Sequence, residues 1–173
     1  PQDSHIPLIL SYLEVLLEEN KTTNQEFLVF NFLKRSLEKF KSTWTKLIKN
    51  KVDSLNHSII VAKCGILPAI KSFNQLILIT ESSLDNSNVG NSNSTIIRSM
   101  LDQSYQDLTE ASIHLFLRDD PLLKNSEFDE KEKQHRNVSI LQNIFYLTEQ
   151  LSVFNNTSEG LRKLKSSFES VFR

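Results

Sequence analysis

An all-α fold, a bundle of about six helices, is predicted by three observations. The 173 residues contain only three glycines and four prolines, too few for the many tight turns of a sandwich or barrel. Apolar residues recur at intervals of three and four along most of the chain, the spacing of one helix face. The interruptions are polar runs such as Asn155-Asn156-Thr157-Ser158, which bury nothing and read as connections.

The first helix is expected from about Pro7 to Glu19, with Pro7 in its first turn and a stripe of Leu8, Leu10, Leu13, Leu16 and Leu17. Thr23-Asn24-Gln25-Glu26 fits a capping box, in which the Thr hydroxyl accepts from the third helical NH and the Glu reaches back. A second, long helix therefore starts there. Its stripe is Phe30, Leu33, Leu37, Phe40, Trp44, Leu47, Ile48, Val52, Leu55 and Ile59. The 40, 44, 48, 52 spacing departs from a heptad and suits a bundle better than a two-stranded coiled coil.

Cys64-Gly65-Ile66-Leu67-Pro68 is expected to end that helix and begin the third, with Gly65 as a left-handed cap and Pro68 in the new first turn. A kinked continuation is the alternative. The third helix carries Ile70, Phe73, Leu76, Ile77 and Leu84, and Asp85 to Ser94 reads as a mobile loop. The fourth, from about Thr95 to Leu117, turns Ile97, Leu101, Tyr105, Leu108, Ser112 and Leu115 to one side; Asp119-Asp120-Pro121 stops it. The fifth begins near Glu130, acidic where the helix dipole favours it, and runs through Val138, Leu141, Ile144, Phe145, Leu147, Thr148 and Leu151. A last helix from about Ser158 carries Leu161, Leu164, Phe168, Val171 and Phe172. The opening at Pro1 and the helix reaching the final residues are read as marks of a single helical-bundle segment, 1–173, cut from a longer chain.

Composition excludes several functions. No apolar run approaches the roughly 18 residues of a membrane span. The net charge is -1, so no global field draws nucleic acid or anionic lipid. The lone Cys64 excludes an internal disulfide and fits a reducing compartment. His5, His57, His114 and His135 are scattered; His114 has Glu110 four residues back, a two-residue coincidence that makes no metal site. No phosphate loop, nucleophile elbow or dinucleotide fingerprint occurs. No cofactor and no catalysis are expected. The Asn-x-Ser/Thr triplets at Asn20, Asn56, Asn93, Asn137 and Asn156 are read as chance products of an Asn- and Ser-rich chain.

Charge placement is more informative. Between Lys34 and Lys51 seven Lys and Arg residues are relieved only by Glu38, giving the second helix a basic outer surface. Lys34, Lys41, Lys46 and Lys49 are the candidate interaction residues, suited to an acidic protein surface, a phosphoinositide membrane or RNA. A solvated helix face carries the same pattern, and part of it can face the acidic Glu14-Glu18-Glu19 and Asp119 to Glu132 segments. Phe40 and Trp44 belong to the apolar stripe and not to a base-stacking platform.

Three stretches in order resemble a known family. Trp44-Thr45-Lys46-Leu47 lies in a long helix leading to Gly65-Ile66-Leu67-Pro68; Phe73 and Glu81-Ser82 follow; Gln142-Asn143-Ile144-Phe145-Tyr146 comes later. From Phe27 to about Phe154 the chain resembles the C-terminal helical region of the Sec-three subunit of the exocyst, the vesicle-tethering complex. Gln142 stands where the family pattern has Glu, and the Asn/Ser insert at 85–94 is a further departure; both suit a divergent fungal-type sequence. The resemblance implies an elongated antiparallel helical bundle of the tethering-complex helical-rod type. It also implies a non-catalytic structural segment that contacts other exocyst subunits while secretory vesicles dock at the plasma membrane. The family's lipid- and GTPase-binding module has no counterpart here. The alternative is a lipid- or nucleic-acid-binding domain using the basic helix face.

Overall fold

The computed structural model describes residues 5–22, 27–60, 65–85, 95–118 and 130–152, together with 162, 165, 166, 169 and 170; at 21, 22, 27, 95, 96 and 130 it describes the backbone alone. The described residues form an all-helical bundle of five helices: α1 (Ile6–Thr22), α2 (Phe27–His57), α3 (Pro68–Asp85), α4 (Thr95–Leu117) and α5 (Glu130–Ser152). Arg162, Lys165, Ser166, Glu169 and Ser170, within the expected sixth helix, are helical. The rest of that helix, the capping box at Thr23 to Glu26, Cys64, residues 86–94 of the expected loop and residues 119–129 lie outside the described residues; Asp85, expected in that loop, is instead the last residue of α3.

The chain divides into two compact units. One comprises Pro1–Asn50 and Leu76–Ser104, the other Lys51–Gln75 and Tyr105–Arg173. The core of the first draws Ile6, Leu10 and Leu17 from α1, Leu33, Leu37, Trp44 and Ile48 from α2, Leu76 and Ile77 from α3, and Ile97 and Leu101 from α4. Trp44 is wholly buried, and its indole Nε1 donates to the Ser104 hydroxyl at 2.9 Å, which supplies the partner that a buried indole NH requires. Glu81 is also wholly buried; both of its carboxylate oxygens accept from Arg98 Nη1 at 2.9 Å. Burial of that carboxylate is tolerable because it is paired and hydrogen-bonded.

In the second unit Leu55, Ile60, Leu67, Ile70, Phe73, Tyr105, Leu108 and Leu115 are buried, with Ile140, Ile144, Leu147 and Leu151 from α5. Ser112, on the apolar face of α4, is buried without loss because its hydroxyl donates back to the Leu108 carbonyl.

Four further expectations need correction. The first helix runs a turn beyond Glu19, to Thr22, and Leu16 is exposed. The second helix stops at His57, seven residues before Cys64, leaving Ile59 exposed and non-helical. The cause is tertiary. Arg118 donates from Nη1 to the Asn56 carbonyl at 2.7 Å and from Nη2 to the Ser58 carbonyl at 3.0 Å, taking acceptors that the helix end leaves open. The last turn also tightens, with Ser58 N donating to the Leu55 carbonyl at 3.1 Å. Gly65 has the expected left-handed backbone, φ 61, yet it is not the cap of α2; it lies just ahead of α3, which does start at Pro68. Finally, Val138, Leu141 and Phe145 do not join the core of α5.

Candidate interaction surface

The Gly65 to Pro68 junction is held from α5. Asn143 is wholly buried; its Oδ1 accepts from Leu67 N at 2.8 Å, and its Nδ2 donates to the Gly65 carbonyl at 2.9 Å and the Ser139 carbonyl at 2.7 Å. Leu67 in turn accepts from Lys71 N at 3.0 Å, the first bond of α3. One amide thus pairs with the Leu67 NH and the Gly65 carbonyl of the turn, as burial demands. The junction motif and the Gln142 to Tyr146 motif, read separately in the sequence, are one structural feature.

Beside that junction α5 presents a second apolar face. At roughly 100° per residue, Ile140, Ile144, Leu147 and Leu151 cluster on one side and are buried. Val138, Leu141 and Phe145 lie about a quarter of a turn or more away and are 50%, 61% and 69% exposed. With Gly65, Ile66, Tyr146 and Thr148 they line a groove of about 940 Å³. Its charged lining groups are Glu149 and Glu169, the latter 4.0 Å from Lys165 Nζ. Tyr146 Oη accepts from Asn74 Nδ2 at 3.2 Å, which fixes the phenol at the groove wall. Apolar faces of this kind mark interaction sites more often than isolated exposed side chains do.

The sequence pointed elsewhere for contacts. Lys34, Lys46 and Lys49 are exposed on α2, and Lys41 is half-buried. Lys51, at the end of the basic run, instead donates to the Ser72 hydroxyl at 2.6 Å. The α5 face was hidden because 138, 141 and 145 show the same three-and-four spacing as the core positions interleaved with them. A count of apolar residues around the helix, wider than one stripe requires, was the available signal.

Among the described residues no three His, Cys, Asp or Glu side chains come together to hold a metal. His57 Nδ1 donates to the Asp53 carbonyl at 2.6 Å within α2, and His5 Nδ1, just ahead of α1, lies 3.3 Å from the Ser83 hydroxyl of α3. No described helix is long and apolar enough to cross a membrane.

Comparison with curated proteins gives no match, and comparison with solved structures gives none. Among protein families, exocyst complex component Sec3, C-terminal, matches residues 1–173, the whole length of the chain. That match agrees with the all-helical bundle, and the chain belongs to the exocyst Sec3 C-terminal family.

Proposed function

We propose that this chain is a non-catalytic structural and interaction segment through which an exocyst subunit contacts its neighbours while secretory vesicles dock at the plasma membrane. The family is that of an exocyst component, with a role in vesicle tethering, other exocyst subunits as partners and a cytoplasmic place of action at the plasma membrane. The observation that carries the finer reading is the helical bundle matched over its whole length to that family. A bundle acts here by geometry: helices bury one stripe and offer their outer faces to partners through modest polar and apolar contacts. The test is purification of the exocyst from cells carrying the subunit with and without residues 1–173. Loss of neighbouring subunits and of vesicle capture from the truncated complex is the expected result; full retention of both would refute the reading.

A second reading rests on the exposure of Lys34, Lys46 and Lys49 along α2. It makes this face a site for acidic protein surfaces or phosphates. Replacing the three with Glu then abolishes a contact that already weakens steeply between roughly 50 and 200 mM salt. Unchanged contact in the variant removes this reading.

A further inference from the structure

Resting on the interaction reading above, we propose that the groove between α5 and the Gly65–Ile66 turn is the docking site for an amphipathic helix of another exocyst subunit, one carrying Lys or Arg beside its apolar anchors. The apolar half of the argument is the spacing of Val138, Leu141 and Phe145, three and then four residues apart and half or more exposed. That is the spacing at which one helix meets the i, i+3/i+4, i+7 anchors of another. Gly65 adds to the fit: no atom lies within 4 Å of where its Cβ would stand, so the turn leaves open space on that wall.

The occupant's charge follows from the rim. Glu149 and Glu169 are the charged lining groups, and Lys165 stands only at the margin of contact with Glu169. An anionic lipid surface meets two carboxylates there and is disfavoured, as is a nucleic-acid backbone. A second copy of this chain is disfavoured for a different reason: a two-fold interface sets the same patch against itself, bringing four carboxylates, Glu149 and Glu169 of each copy, into one interface. A basic amphipathic helix satisfies both the apolar stripe and the carboxylates. The charges set orientation and association rate, and the apolar anchors hold the contact.

The experiment is pairwise binding of the intact subunit to each of the other purified exocyst subunits, comparing wild type with Leu141→Asp/Phe145→Asp and with Glu149→Lys/Glu169→Lys. A Gln142→Cys crosslinking variant maps what sits in the groove. All these positions are exposed, and helical circular dichroism with a thermal melt checks that each variant is folded; Leu141→Ser/Phe145→Ser serves if the Asp pair is not. The expected result is a loss of at least tenfold for one partner with the apolar variant, and a smaller loss for that same partner with the charge reversal. The crosslink then falls on a helical segment of that partner bearing Lys or Arg. If wild type binds its partners and the variants bind equally well, the groove proposal fails while the interaction reading stands. If wild type binds none of them, both fail. A crosslink to a second copy overturns the proposal by showing a different occupant.

Discussion

Asn143 holds the backbone of Leu67 across 76 residues of sequence, accepting its NH at 2.8 Å inside the second unit. The same amide donates to the carbonyls of Gly65 and Ser139, so one side chain fixes the entry to α3 against α5. Asn143→Leu leaves a buried NH and a carbonyl without this partner, at roughly 1–3 kcal/mol for each unsatisfied group. Asn143→Asp keeps the acceptor but sets a buried carboxylate against the Gly65 and Ser139 carbonyls. Both variants are expected to lower the urea midpoint; an unchanged midpoint for the Leu variant would show that the turn is satisfied without the amide.

Gly65 takes a left-handed backbone, φ 61, with open space where a Cβ would be. Steric collision is therefore absent, and Gly65→Ala should cost only the conformational term, about 1–2 kcal/mol. Gly65→Asn should cost less, because Asn visits this region more readily. A thermal melt of the two variants orders them; a much larger loss for Ala would mean that the turn meets something closer than the backbone indicates.

Trp44 and Ser104 give the first unit its own anchor, the indole NH donating to a hydroxyl that itself donates to the Met100 carbonyl. Ser104→Ala leaves the indole unpaired at the cost of a few kcal/mol at most, whereas Trp44→Ala also opens a cavity, for about 3–5 kcal/mol in all. Trp fluorescence adds a direct readout. The Ser104→Ala spectrum should keep the blue-shifted maximum of a buried indole, and a red shift would mean that the hydroxyl is needed to keep the ring inside.

These residues also show how far the sequence was legible. The bounds of α4, Thr95–Leu117, were read directly, because a polar run precedes it, an Asp-Asp-Pro follows it, and its one apolar face is all buried. The end of α2 was not, because the groups that stop it belong to Arg118, 60 and 62 residues away. Gly65 was correctly marked as left-handed but assigned to the wrong helix for the same reason. On α5 the three-and-four spacing identified a helix and could not separate Ile144 from Phe145, adjacent residues of which one is buried and the other largely exposed. Periodicity finds apolar positions; packing alone decides which are covered. The groove was therefore invisible, although both motifs that build it had been noticed.

Glu81 and Arg98 offer the sharpest energetic test, since the carboxylate is wholly buried while the guanidinium is partly open to solvent. Removing only the cation, Arg98→Met, strips charge from a buried anion that keeps its desolvation penalty, and a loss of about 3–5 kcal/mol is expected. Removing only the anion, Glu81→Gln, should cost less, because Arg98 can turn toward water. The pair replaced together, Glu81→Leu/Arg98→Met, should recover most of the loss, as exchanging a buried ion pair for apolar groups of similar volume is often neutral. A double-mutant cycle by urea unfolding measures the coupling. Additive losses, with the double variant the least stable, would show that each group is held by partners other than the opposite member of the pair.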